Sequence, residues 1–395
     1  MQVKNVIPAI AAREDELVAW RRDIHAHPEL GFEEHRTAEL VASLLGSWGI
    51  EVHRGLGGTG VVGVIRAGNS PRSIGLRADM DALPIEEANG FAHRSCNSGV
   101  MHACGHDGHT AMLLGAARYL AETRCFDGTV VLVFQPAEEG KAGSAAMIRD
   151  GLLARFPMQA IYGLHNWPGL QAGRFGIAPG PVMASADRFD ITLTGKGAHA
   201  AMPHQGSDTV LAGAQLVSAL QMISARETDP LDAAVVSVTG FHAGEAFNVM
   251  PEEARLFGTV RALRPETQTR VLAAIQRICE GVSLSHGVAA QLVWREGSYP
   301  ATINSPVEAG FCREFVEACF GGEALFWAPP PSMGAEDFAF YLQQIPGCYV
   351  WLGSGAEGGG STLHNPTYDF NDEILTLGAS FWGRLVEHRL ARQGE

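Results

Sequence analysis

Apolar residues recur at helical spacing in two stretches near the start of the chain, EDELVAWRRDIHAHPEL (14–30) and HRTAELVASLLGSWG (35–49), the second stopping at a glycine. Both predict helices. The pattern then changes. GVVGVIRA (60–67), SIGLRADMD (73–81), TVVLVFQP (129–136) and AIYGLHN (160–166) are short aliphatic runs bounded by Gly, Pro or Asn, with the helical TAMLLGAARYLAE (110–122) between them. Strands alternating with helices predict an α/β fold around a mainly parallel, covered sheet.

From Asp187 the texture is different. DRFDITLTGKG (187–197), AAVVSVTGFHAG (233–244) and ARLFGTVRAL (254–263) alternate apolar with polar residues, as half-buried strands do, and helical patterns cover 208–226 and 265–283. This describes an α+β unit whose sheet is backed by two helices. After Ser305 the chain returns to helix, then the strand GCYVWLGSG (347–355), then a histidine-bearing loop and a last helix. Residues 187–297 therefore read as a second domain inserted into a first made of 1–186 and 298–395.

Composition narrows the partners. The 395 residues carry 43 acidic against 29 basic side chains, a formal charge of -14, the wrong sign for a nucleic-acid or anionic-membrane surface. No apolar run approaches the roughly 18 residues of a membrane span, and the N-terminal apolar run is broken by Pro8, so neither span nor export signal is expected. Seven cysteines without framework spacing point to a reducing, cytoplasmic setting.

Four strand ends or loops hold the candidate chemistry. MHACGHDGHT (101–110) sets Cys104 and His106 two apart in a glycine-punctuated loop before a helix, a pairing that suits zinc, cobalt or manganese; His102 and His109 read as packing and hydrogen-bonding residues. In VFQPAEEG (133–140) Glu138 and Glu139 follow an aliphatic strand, where one carboxylate can hold a cation and the other take a proton from water. His165 closes an apolar run, and His364 lies in a C-terminal loop. Asp79 and Asp81 fit either orientation of a ligating imidazole or a salt bridge to Arg77. In the inserted unit His199 and His204 sit among small residues, with Asn248 in a turn and Arg261 at a strand end, groups suited to clamping a carboxylate.

Taken in order, RRDIHAHPELGFEE, GLRADMDALPI, MHACGHDGHTAMLLGAA, FQPAEEG, GLHNWPG, GKGAHAAMPH, FNVMPEEARLFGTVR, MGAEDFAFY and LHNPTYDFND resemble the metal-dependent amidohydrolases of the aminoacylase, hippurate hydrolase and auxin-conjugate hydrolase group, relatives of the glutamate carboxypeptidases. The resemblance spans nearly the whole chain. It implies a zinc-peptidase-like catalytic domain with a covered mixed sheet and an inserted lid or dimerisation domain. It implies two divalent ions (manganese, zinc or cobalt) on Cys104, His106, Glu139, His165 and His364, with Cys104 between them. Glu138 is then the general base, His199 the oxyanion donor, within reach of a partner subunit's site, and Asn248 and Arg261 the substrate-carboxylate clamp. The expected reaction is hydrolysis of an N-acyl or N-aroyl amino acid by a homodimer or a dimer-based homo-oligomer.

Other readings stay open at this point: a dipeptidase or carboxypeptidase on small peptides, a hydrolase in which Cys104 itself attacks, and a non-catalytic protein that binds a metal or conjugate. The side chains near Met333 and Phe338 are not diagnostic of acyl or amino-acid preference.

Overall fold

The computed structural model describes residues 5–355 and 362–392. It divides the chain into two compact units, Met1–Gly180 with Ile303–Pro330 and Asp337–Glu395, and Pro181–Thr302 with Pro331–Glu336. The second unit reaches beyond 187–297 because backbone pairing does: the Ser185 N–H donates to the Ala262 carbonyl, Ala186 pairs with Tyr299, and Ser332 pairs with Met183 and bonds Val182.

The first unit is built on eight strands: β1 (Glu51–Leu56), β2 (Gly60–Ala67), β3 (Ser73–Asp79), β4 (Gly128–Gln135), β5 (Ala160–Pro168), β6 (Phe175–Ile177), β7 (Leu325–Trp327) and β8 (Gly347–Gly355). Their order is β1-β2-β4-β3-β5-β8-β6-β7. The stretch β4-β3-β5-β8 is parallel, while β1, β2 and the β8–β6 pair run antiparallel, so the sheet is mixed. Every residue of β3 and the first seven of β5 are buried. Strands covered on both faces need no polar alternation, which is why they read as continuous apolar runs.

Five helices do most of the covering: α1 (Glu14–Ala26), α2 (His35–Ser47), α3 (His106–Thr123), α4 (Pro306–Phe320) and α5 (Leu375–Arg389). Helix α1 stops at Ala26, short of the predicted stretch, just before His27 and Pro28. Helix α3 is buried from His106 to Ala117 and packs on α1 and α5; after its polar first turn it is apolar on every side as far as Ala117, as suits the inside of a large core. No helix among the described residues is long and apolar enough to cross a membrane.

The second unit has a four-stranded antiparallel sheet in the order Ala234–Ala243, Glu253–Ala262, Asp187–Thr194, Ala289–Trp294. Its two central strands alternate buried and more exposed positions, and the helices Thr209–Met222 and Pro265–His286 close a separate core with Phe189, Leu216, Leu256 and Ile275. Each unit thus has an apolar interior of its own.

Phe381 on α5 is fully buried, its ring 4.9 Å from Phe175 and 5.3 Å from both Phe315 and Trp382. Phe381→Ala is expected to destabilise the first unit by about 3–5 kcal/mol in urea unfolding; a loss below about 1 kcal/mol would contradict this role in the core.

Candidate functional site

The carboxyl ends of β3, β4 and β5 meet at one edge of the first unit, the usual place for a ligand site in an open α/β sheet. Between β3 and α3 the chain returns through the MHACGH loop. Gly105 makes its last turn possible: it is left-handed at φ 95°, and a Cβ there would lie 2.3 Å from Asn166 Oδ1 and 2.9 Å from the Tyr368 hydroxyl. Only a residue without a side chain lets Cys104 and His106 flank so tight a passage.

Cys104, His106 and Glu139 each present a ligand atom within 4.8 Å of the others. His165 joins them: its Nδ1–H donates to the Asn166 carbonyl at 2.7 Å, which leaves the Nε2 lone pair facing the Cys104 sulfur at 3.5 Å. His364, half exposed, places Nε2 3.1 Å from Glu139 Oε1, and its own N–H donates to the Ala103 carbonyl of the MHACGH loop. Five of the residues singled out in the sequence therefore converge, from four separate segments. His165 is not the last residue of its strand; β5 runs on to Pro168 because β8 pairs with it that far.

The two adjacent carboxylates point different ways. Glu138 is buried and its Oε1 accepts the Asp337 N–H at 3.3 Å, while Glu139 turns to Cys104, His106 and His364. Asp79 and Asp81 divide what the sequence left as alternatives. Asp79 takes the salt bridge, 2.6 Å from Arg77, and also accepts from His109 Nδ1 at 2.6 Å. Asp81, past the end of β3, lies 3.2 Å from His106 Nδ1 and accepts the Glu139 N–H at 2.8 Å. His106 Nε2 is left buried without a hydrogen-bond partner.

The electrostatics follow from this packing. Burial alone would raise Asp79, yet His106, Arg77 and His109 hold it well below the usual carboxylate range. Burial opposes charge on His106, but Asp79 and Asp81 push it up to about 10. Burial, with His109 adding to it, drives His165 well below an ordinary imidazole, so it keeps a lone pair to offer. The Cys104 thiol is pushed well above its ordinary range by burial and by Glu139, Glu138 and Asp79. A thiol surrounded by carboxylates is a poor nucleophile, which weighs against direct attack by Cys104, whereas a cation there would reverse the balance.

His102 and His109 sit deeper. His109 bridges Asp79 and Asn166, and Asn166 in turn donates to the Tyr368 hydroxyl at 2.7 Å. His102 is wholly buried and driven down to about 4 by burial. Tyr368, Asp337 and Gln135 carried no individual signal in the sequence beyond their place in the quoted motifs; Asp337 accepts from Gln135 at 2.8 Å and pairs with Arg77 at 3.0 Å.

His199, Asn248 and Arg261 belong to the second unit. Ala198–His199 and Val249–Met250 form a two-stranded ribbon, and the Ala200 N–H donates to the Asn248 carbonyl at 3.0 Å, so His199 and Asn248 stand close together. Both are exposed. His204 is exposed in a short turn nearby. Arg261 is elsewhere, near the other end of the strand Glu253–Ala262, donating to the Thr259 hydroxyl at 2.7 Å, with Arg188 beside it.

A sequence profile described as Peptidase family M20/M25/M40 matches residues 75–388. The chain is 41% identical over 382 residues to a hippurate hydrolase of Campylobacter jejuni, covering 97% of this chain and 98% of that protein. It is 38% identical over 374 residues to an N-acetyl-L-cysteine deacetylase of Bacillus subtilis, covering 94% and 88%. Among solved structures it is similar to a Bacillus subtilis protein described as a dinuclear metal-binding peptidase of the M20 family, with a TM-score of 0.84, 35% identity and 96% and 99% of the two chains covered.

Two glycine substitutions separate strain from propensity. Gly105→Ala combines a left-handed backbone with the contact on Asn166 and is expected to lower the unfolding free energy by at least about 2 kcal/mol. Gly46→Ala, in α2 where a Cβ meets nothing within 4 Å, is expected to raise it by about 0.5–1 kcal/mol. Equal effects in thermal unfolding would refute the distinction.

Proposed function

This chain belongs to peptidase family M20/M25/M40, and from that premise we propose that it cleaves the amide bond of N-acyl or N-aroyl amino acids, releasing a carboxylic acid and a free amino acid. It is a hydrolase of linear amides that depends on divalent metal. The observation that carries the reading is the convergence of Cys104, His106 and Glu139, with His165 against the thiol and Glu138 alongside. Hippurate and N-acetylcysteine, the substrates in the relatives' names, are both N-acyl amino acids.

The donor set suits two divalent ions. Imidazole nitrogens, a thiolate and a carboxylate together match zinc, manganese or cobalt, and the buried His106 Nε2, which makes no hydrogen bond, has a use in such a site. Cys104, His106, Glu139, His165 and His364 would hold the pair. When bound, the ions supply Lewis-acid polarisation of the scissile carbonyl and of the attacking water.

The chain's own groups do the rest. Glu138 takes the proton of the attacking water and returns it to the leaving amine; the Asp337 N–H on its Oε1 holds the carboxylate in place for both transfers. Asp81 fixes the His106 ring and the Glu139 backbone together. His199 donates to the developing oxyanion, and Asn248 and Arg261 clamp the substrate carboxylate.

The second unit's geometry supports a homodimer. From Glu253 to Arg261 the strand advances eight residues, roughly 27 Å, and His199 and Asn248 lie past its Glu253 end. That is far longer than a small N-acyl amino acid, so the two groups of residues serve one substrate only if they come from two copies. The outer strand Ala234–Ala243 exposes Phe241, and the helix Thr209–Met222 beside it exposes Val210 and Leu211, apolar groups of the kind one copy presents to another.

Chelation is expected to abolish hydrolysis of N-benzoylglycine and added divalent metal to restore it. Glu138→Gln is expected to keep metal stoichiometry while turnover falls roughly 10²- to 10⁴-fold; a variant as active as the parent ends the general-base assignment. For the dimer, co-expressing His199→Ala with Glu138→Gln is expected to return about a quarter of parental activity, because each mixed dimer regains one intact site. Activity no higher than either variant alone would mean that His199 acts within its own subunit or not at all.

A further inference from the structure

The turn that carries Glu138 and Glu139 does not owe its shape to its own residues. Ala137 and Ala142 are left-handed at φ 54° and 56°, and Glu139 and Gly140 between them depart from helical angles. A residue with a Cβ stays in that region only when its surroundings hold it there. Three buried carboxylates do so, each from a distant segment of the first unit and each accepting a backbone N–H: Glu34 from Ala137 at 2.7 Å, Asp81 from Glu139 at 2.8 Å, and Asp337 from Ser144 at 2.9 Å.

Asp81 and Asp337 have further partners in His106, Arg77 and Gln135. Glu34 does not. It is fully buried, its second oxygen accepts from the Thr59 hydroxyl, and among the described residues no cation pairs with it. An acid buried without a cation is costly, and burial together with the Asp81 charge pushes its carboxyl up to about 7. The segment around it also clasps the turn directly: Lys141 Nζ donates to the Gly31 carbonyl at 2.7 Å, and a Cβ on Gly31 would lie 2.9 Å from Ala137 Cα.

We infer that Glu34 is a positioning residue for Glu138: by holding the N–H of the left-handed Ala137, it fixes the point from which the Glu138 side chain leaves the backbone. The inference rests on the reading of Glu138 as general base. It assigns a part in the reaction to the segment between α1 and α2, which contributes none of the proposed ligands.

The test compares Glu34→Asp, Glu34→Gln and Glu34→Ala in the metal-restored enzyme with N-benzoylglycine, alongside thermal midpoints and deuterium exchange of peptides spanning 135–144. Asp keeps the charge but is a methylene too short to reach Ala137; it and Ala are expected to lower kcat about 30- to 100-fold with KM within about threefold, and to speed exchange in the turn. Gln accepts from Ala137 through its carbonyl and can donate to Thr59, so it is expected to recover kcat to within about fivefold of the parent and to restore slow exchange. Glu34→Asp with parental kcat and exchange overturns the inference, as does Gln damaged as badly as Asp. Should Ala fail to fold, the Asp and Gln pair decides. If the parent hydrolyses no N-acyl amino acid, the hydrolase reading falls, and exchange in the turn, which needs no turnover, still decides whether Glu34 holds it.

Discussion

Arg77, Asp79, His109 and Asp337 are packed together with almost no solvent exposure, and the parts that reach the site hang on them. Charges in such surroundings are tolerable only when each is answered by another at hydrogen-bond distance, and removal of one partner is far more costly than the pair's own net value. Arg77 on β3 ties Asp79 to Asp337, His109 ties Asp79 to Asn166 on β5, and Gln135 at the end of β4 closes the set. The three strand ends are thereby locked in register with one another, and the ligand-type residues, one step further out, inherit their spacing from that lock.

The same arrangement explains why hydrogen-bonding roles stack in layers. His106 is oriented by Asp81, which also takes the Glu139 N–H, so one carboxylate sets the relation between an imidazole on α3 and a carboxylate after β4. His165 is set by the Asn166 carbonyl of its own strand. His106 and His165 are thus each held by a group that is not itself a proposed ligand, which is how a site keeps its geometry before anything binds.

Much of the fold was legible in the sequence, because an apolar stripe or a run of aliphatics between glycines leaves few choices for α3, β3, β4 and β5. Three of the four strands of the second unit were equally plain; the edge strand Ala289–Trp294, which has no buried position, was not read. The candidate ligands were legible one by one, as Cys, His and Glu at strand ends and in loops, and the order of the motifs pointed to a family. What could not be read is proximity. Whether Asp79 or Asp81 pairs with Arg77 depends on where β3 ends. That Asp337 closes the network, or that Glu34 reaches Ala137, depends on chain crossings of some two hundred and one hundred residues, and no local pattern marks either residue. Left-handed alanines at 137 and 142 were also invisible, since alanine ordinarily signals the opposite backbone.

The distance between the two ends of the strand Glu253–Ala262 carries a consequence of a different kind. On the proposed roles, a catalyst that takes His199 and Asn248 from one end of a sheet and Arg261 from the other is complete only as an assembly, so its specific activity becomes a function of its own concentration through mass action. Dilution would then silence it without unfolding a single subunit.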